Sequence, residues 1–455
     1  MNYCTSCGAG VDGAARFCGN CGAAIGAAQP AASLATPGEV EGVTSSSQPY
    51  SGVPAEPGAG TQASDIATVV RANPDSAIRA AVALALVIVA LVKPWEVTSL
   101  GFWGETAGDA AGSNGWSLVI LLLVGAAAAV GFFAKNVEGS GLPVPPRVIQ
   151  VVLVLPFLLT ALVMLVRMVG DESLPGVSVA IGLVAAVLAI QVGAQDHEAE
   201  GWHTATMVLL GVGVALSLWG MAPMFDLNGI FLFLLVVGIG WIPLLAFWFI
   251  NGLRQRQPAE WAALVVFGGG LLVVMFTLTG GLTSPADVGL MLFMVAAAAA
   301  TAPGVAELMA LSSDPAERWL QWVAGIMVLW IVAGAVTGLL GLLGAISVSD
   351  LGVSPTSFIW VTIWGTASAI AAGVARKLLV EDPARGRKIA AGFAVASMVL
   401  WVVSLAAADV ELADPATLLT GLAVPAVVLL MLTLPRSVNQ RFGSLVQSSG
   451  GPTVD

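Results

Sequence analysis

Hydrophobic residues recur in long, nearly unbroken runs between residues 77 and 434. Twelve of these runs are long enough to cross a bilayer, which takes roughly 20 apolar residues in an α-helix. Because several of the loops between them are short, consecutive helices are expected to be antiparallel neighbours. The pattern predicts an all-α polytopic membrane protein, with segments at about 77–93, 115–134, 147–170, 176–194, 204–222, 229–250, 260–281, 288–310, 319–345, 356–375, 389–407 and 416–434.

The chain before these runs differs in character. Residues 1–25 hold all four cysteines, and residues 26–74 are mostly Ala, Pro, Gly, Ser, Thr and Gln. A segment of that composition buries too little apolar surface to offset the entropy of ordering it, so we expect a disordered linker. The predicted organisation is a cysteine domain at 1–25, the linker at 26–74, twelve transmembrane helices at 75–435 and a tail at 436–455.

Composition supports the membrane assignment and excludes other classes. Of the 455 residues, 57% are hydrophobic and only 10% are charged, against about 25% charged in an average soluble domain. So few charges cannot cover a soluble protein of this size. The net charge of −11 argues against a nucleic-acid partner. The expected surroundings are therefore a lipid bilayer.

The basic residues predict the orientation of the helices. If the N-terminus is cytoplasmic, most of the 17 Lys and Arg residues lie in the cytoplasmic loops, five of them in the loop at 376–388. Cytoplasmic loops carry such an excess in multi-pass proteins. We therefore expect a multi-pass protein of the cell membrane with both termini in the cytoplasm.

The strongest chemical motif is a pair of Cys-x-x-Cys turns, each followed by glycine. Cys4 and Cys7 form the first turn, and Cys18 and Cys21 form the second. Each turn can direct two thiolates at one ion, and four thiolates make the closed tetrahedral site that structural Zn²⁺ prefers. We expect one structural Zn²⁺ per chain. Two disulfides, a dithiol redox centre and an iron–sulfur cluster are the alternatives, although a reducing cytoplasm disfavours disulfides.

These first 25 residues resemble the bacterial zinc-ribbon domain found at the N-termini of many membrane proteins. The resemblance rests on Tyr3-Cys4-Thr5-Ser6-Cys7-Gly8 and Phe17-Cys18-Gly19-Asn20-Cys21-Gly22. It implies metal binding and contact with a protein partner, without catalysis. It does not extend to the apolar region.

Inside the apolar segments, helix breakers are the main candidate feature. Gly240, Trp241 and Pro243 fall near the middle of the sixth segment, and Glu307 lies late in the eighth. Proline removes a backbone hydrogen bond and bends a helix, and broken helices can frame a binding site in transporters. These four residues are the candidate pocket, although Pro and Gly are also common in ordinary membrane helices.

The sequence contains no phosphate-binding loop and no other enzymatic signature that we could identify. We therefore expect a non-enzymatic membrane protein. In this hypothesis the ribbon recruits a cytoplasmic partner or acts as a sensor, and the helix bundle is its anchor or scaffold. The alternative is a transporter or channel for a small uncharged or apolar solute. A membrane enzyme using the acids of the first outer loop is a weaker third option. Substrate, partner and oligomeric state are not encoded in any motif.

Overall fold

The structure is a computed structural model that describes residues 2–3, 10–11, 74–98, 110–136, 144–167, 173–192, 198–221, 243–279, 285–309, 312, 314–349, 355–407 and 415–445. The chain divides into two units, Met1–Gln62 and Ala63–Asp455. In the first, strands β1 (Asn2–Tyr3) and β2 (Gly10–Val11) pair in antiparallel register, with Tyr3 opposite Gly10.

The second unit is built almost entirely of helices. A short antiparallel strand pair, β3 (Glu96–Thr98) with β4 (Ser173–Pro175), joins two of its loops. The helices are α1 (Pro74–Leu91), α2 (Gly115–Asn136), α3 (Pro146–Arg167), α4 (Val177–Gln191), α5 (Ala199–Met221), α6 (described over 243–254), α7 (Pro258–Leu264), α8 (Leu272–Thr279), α9 (Pro285–Ala300), α10 (Val305–Leu308), α11 (Pro315–Ser349), α12 (Thr356–Glu381), α13 (Pro383–Ala407), α14 (Pro415–Thr433) and α15 (Arg436–Phe442).

Seven spans among the described residues are long and apolar enough to cross a membrane. They are α2, α3, α5, the continuous run of α7 and α8, α11, α12 and α13. An eighth arises if α14 and α15, which meet at a 63° bend, count as one span. The all-α architecture expected from the hydrophobic pattern is therefore present, and it is consistent with an integral membrane protein.

The core lies around two short apolar helices, α4 and α9. All but two of the 15 residues of α4 are buried, and so is every residue from 291 to 300 of α9. Helix α4 packs on α1, α2, α3 and α9, while α9 packs most closely on α5. Uniformly apolar helices are expected at the centre of a bundle, because they have no polar face to present elsewhere.

Consecutive helices form two closed groups of four. In the first group α1 contacts both α2 and α4, and α3 contacts the same two helices. In the second group α11, α12, α13 and α14 pack in sequence, and α14 returns to α11. Short connections between antiparallel helices produce this arrangement.

A seam of glycines lies between α11 and α12, which form the most extensive helix contact among the described residues. A Cβ atom added at Gly334 would lie 2.8 Å from the carbonyl oxygen of Gly365, and one added at Gly338 would lie 3.0 Å from the Thr366 nitrogen. Small residues at this spacing let membrane helices approach to backbone contact. The Gly334-x-x-x-Gly338 pattern is therefore a packing motif within the chain.

Two segments expected to be regular helices are broken. The segment at 288–310 divides at Ala300, because Gly304 takes a left-handed φ of 77° before α10 begins. The segment at 260–281 contains a π-helical stretch at Val265–Leu271, which includes three consecutive glycines. Polar and glycine-rich positions thus interrupt runs that hydropathy alone presents as continuous.

Helix α15, inside the expected tail, packs against α11.

Candidate functional site

A groove of about 520 Å³ lies between α1, α4, the π-helical stretch and α8. Its walls are aliphatic, with Val82 and Leu86 on one side and Val273 and Val274 on the other. Asp75, Arg79 and Thr301 are the polar side chains among the described lining residues. Arg79, Val82 and Leu86 fall three and four residues apart, so they share one face of α1. The groove is therefore polar at one end and apolar along its length.

Gln191 positions the arginine at the polar end. The Nη1 atom of Arg79 donates a hydrogen bond to Oε1 of Gln191 at 3.2 Å, and the Thr301 hydroxyl donates to the same oxygen at 3.4 Å. The Gln191 side chain is fully buried. The single hydroxyl proton of Thr301 lies closer to the carbonyl oxygen of Ala298, at 2.7 Å, so Arg79 is the main donor to this buried amide oxygen.

The other end of the Gln191 amide holds the last turn of α9. Its Nε2 atom donates to the carbonyl oxygens of Ala298 at 2.8 Å and Ala299 at 3.4 Å. Each of these carbonyls also accepts a backbone N–H, from Thr301 at 3.2 Å and from Ala302 at 3.1 Å, so the amide adds a second hydrogen bond at the helix end. Gln150 of α3 serves α4 in the same way, donating to the carbonyls of Ala189 and Val192 at 3.0 Å each.

The π-helical stretch opens one wall of the groove. Gly269 and Gly270 line it, and a Cβ atom added at Gly270 would meet nothing within 4 Å. The adjacent Gly268 faces inward instead, where an added Cβ would lie 3.0 Å from the carbonyl oxygen of Phe293. A π-helical turn inserts a residue into the helix and is frequent at functional sites. Here it leaves an unfilled strip beside α1.

The pocket expected around the sixth segment is described only in part. Gly240 and Trp241 lie outside the described residues. Pro243 is buried in α6, whereas Glu307 is exposed on the short helix α10. Neither residue lines the groove.

The four expected zinc ligands, Cys4, Cys7, Cys18 and Cys21, also lie outside the described residues. Strands β1 and β2 flank the first pair in the sequence. Within the described part of the chain, no group of three or more His, Cys, Asp or Glu side chains is placed to hold a metal ion. The zinc site stays a prediction.

Sequence reasoning missed the groove. Arg79 carried a usable signal, because it lies inside an apolar run one turn after Asp75, and an ionisable residue in such a run is a functional candidate by default. Gln191 was a second signal, as an amide at the end of an otherwise apolar helix. That the two side chains meet, 112 positions apart, depends on how α1 packs against α4.

Comparison with known proteins identifies the helical region. Neither the curated proteins nor the solved structures contain a significant match to the chain. One family model, described as a domain of unknown function (DUF7937), matches residues 76–441. The match begins at the start of α1 and ends in α15, so it covers the whole helical bundle and excludes the cysteine segment. The chain therefore belongs to the DUF7937 family.

Proposed function

We propose that this protein is a non-enzymatic membrane scaffold that presents an N-terminal zinc ribbon to a cytoplasmic partner. The bundle of twelve transmembrane helices anchors the ribbon in the cell membrane, with both termini cytoplasmic. One Zn²⁺ held by Cys4, Cys7, Cys18 and Cys21 gives the ribbon its fold, since so short a segment has little core of its own. The linker at 26–74 gives the ribbon reach, about 40 Å for 50 flexible residues.

The observation that carries the proposal is the filled centre of the bundle. Helices α4 and α9 are buried along nearly their whole lengths, and the buried Gln191 side chain of α4 is hydrogen-bonded to α9. Solute pathways are usually lined by polar or ionisable groups facing a water-filled cavity. A packed, uncharged centre is what an anchor needs.

Affinity purification of the full-length protein tests the scaffold role. We expect a cytoplasmic protein to co-purify with the unaltered chain and to be lost from Cys18→Ser. Asn20→Ser is the matched control, because it lies between two ligands without being one. The same set of proteins recovered from both variants would contradict the proposal.

The apolar lining of the groove favours a second candidate, a transporter or channel for a small uncharged or apolar solute. Glycerol is a suitable probe. Swelling of proteoliposomes in isosmotic glycerol should exceed that of empty liposomes if the bundle conducts, and Pro243→Ala should reduce the rate if a bend near Trp241 is part of the route. Equal swelling with and without protein would remove glycerol permeation from consideration.

A further inference from the structure

The lining of the groove between α1, α4 and α8 is complementary to a molecule with a charged head and an apolar tail. Asp75 and Arg79 lie one helical turn apart, about 6 Å along the axis, and both line the polar end. From Arg79 to Leu86 the lining of α1 is aliphatic over about 10 Å. Opposite charges at the head and a continuous apolar strip below them define the ligand class.

We propose that this groove binds a bilayer phospholipid whose headgroup joins a phosphate to a primary ammonium, as in phosphatidylethanolamine. The phosphate is bound by Arg79 and the ammonium by Asp75. One acyl chain lies along Val82, Leu86 and Val274. The inference is independent of the scaffold role, since it concerns the lipid-facing side of the bundle.

The Arg79 guanidinium has N–H donors available to bind an anion. Among the described residues, Arg79 donates a single side-chain hydrogen bond, to Gln191, and a guanidinium carries five N–H donors. The remaining donors can form the charge-assisted, paired hydrogen bonds that arginine makes with phosphate. Basic pockets between membrane helices bind phospholipid headgroups in this way.

Asp75 selects between headgroups. It is exposed in the first turn of α1, where it lies beyond Arg79 along the helix. A carboxylate at this position repels a purely anionic headgroup and accepts hydrogen bonds from a primary ammonium. The quaternary ammonium of phosphatidylcholine has no N–H to donate. The charge pair therefore favours the ethanolamine headgroup over both glycerol and choline headgroups.

The groove is open at the surface of the bundle, where a bilayer lipid can enter it. Ile78, Val82 and Val274, which line it, are 60%, 43% and 45% exposed in the isolated chain. Aliphatic side chains that line an open groove of a membrane bundle contact acyl chains. A Cβ atom added at Gly270 meets nothing within 4 Å, so this wall of the groove leaves space for an acyl chain.

Lipid retention by the full-length protein tests the proposal. The protein is purified in detergent with equimolar phosphatidylethanolamine, phosphatidylglycerol and phosphatidylcholine, and the bound lipids are quantified by mass spectrometry. We expect phosphatidylethanolamine to be enriched about fivefold, the discrimination that one ion pair provides. Arg79→Gln should weaken retention about tenfold, as expected for loss of a charge-assisted contact, whereas Arg385→Gln, an exposed arginine outside the groove, should not.

Two further variants separate the headgroup from the tail. Asp75→Asn should remove the preference for phosphatidylethanolamine over phosphatidylglycerol while retaining binding. Gly270→Leu should block the apolar strip and lower retention of all three lipids without altering the Arg79 hydrogen bond. Its control is Gly211→Leu on α5, where an added Cβ also meets nothing within 4 Å.

Four outcomes would overturn the proposal. The first three are equal retention of the three lipids by the unaltered protein, equal retention by the Arg79 and Arg385 variants, and equal retention by the Gly270 and Gly211 variants. The fourth is a preference of the unaltered protein for phosphatidylglycerol, because Asp75 would then have no selective role. The glycine pair keeps the test decisive if Arg79→Gln fails to fold.

Discussion

Gln150 and Gln191 make equivalent contacts: Gln150 binds the end of α4, and Gln191 binds the end of α9. Each donates its side-chain amide to carbonyl oxygens in or just beyond the last turn of a buried, short, apolar helix. The donors come from α3 and α4 respectively, so α4 is capped by one neighbour and supplies the cap of another. Three of these four carbonyls, those of Ala189, Ala298 and Ala299, also accept a backbone N–H, so the glutamines add a second hydrogen bond to them.

Replacing these glutamines should destabilise the bundle more than a surface glutamine does. We expect Gln150→Leu and Gln191→Leu each to lower the free energy of unfolding by about 1–3 kcal/mol, because each variant loses buried side-chain hydrogen bonds to a helix end. Gln440→Leu, on the exposed face of α15, is the control. Thermal unfolding in detergent measures the effect, and similar midpoints for all three variants would contradict it.

A second prediction concerns Arg387, a fully buried arginine bonded to uncharged groups. Its Nε donates to the carbonyl oxygen of Leu432 at 2.8 Å, and its Nη atoms donate to Gly443 and Asn439 at 2.6 Å each. These contacts fasten α13 to the bend between α14 and α15. We expect Arg387→Gln to destabilise the protein by about 3 kcal/mol or more and to expose α15 to proteolysis. Arg385→Gln, exposed two residues earlier, should do neither.

The glycine seam gives a third prediction. A Cβ atom added at Gly365 would overlap the backbone of Gly338, so α11 and α12 would have to separate. We expect Gly365→Ala to cost about 1–3 kcal/mol, as overpacking does in other cores. Gly392→Ala on α13, where an added Cβ meets nothing within 4 Å, should be neutral or slightly stabilising. Equal stability of the two variants would mean that the seam is loosely packed.

The fourth prediction is the metal content of the N-terminal segment. Purified full-length protein should contain one zinc ion per chain by elemental analysis, and Cys18→Ser should lose it, because three thiolates hold zinc less well than four. Asn20→Ser should retain the metal. Membrane insertion of Cys18→Ser should be unchanged, since the linker transmits little folding energy. Equal zinc in both variants would exclude the proposed ligands.

Orientation is the fifth prediction. With both termini inside, cysteines introduced at Gly104 and Gly352 should react with an impermeant thiol reagent from outside the cell, and cysteines at Gln255 and Arg385 should not. The last two positions are exposed and lie in loops expected to be cytoplasmic. Gly386 is unsuitable, because a side chain there would overlap the backbone of Leu379. Labelling from outside at a cysteine introduced at Arg385 would contradict the predicted orientation.

Hydropathy predicted the helical class and most of the helix positions. The break after Ala300 was signalled by Pro303-Gly304, but the surrounding residues are apolar enough to disguise it. The burial of α4 could not be predicted, because lipid and protein interior are equally apolar and select the same side chains. The groove likewise depends on a π-helical turn and on a long-range contact between Arg79 and Gln191, neither of which has a local sequence signature.

Gln150 and Gln191 are each synthesised before the helix end that they bind. A chain is synthesised from its N-terminus, and early segments begin to fold before later ones exist. Gln150 precedes the last turn of α4 by 39 positions, and Gln191 precedes the last turn of α9 by 107. The last turn of each short helix is therefore synthesised after the glutamine whose amide will bind its carbonyls. The bundle can be assembled in the order of translation, with each buried helix received by a neighbour that is already present.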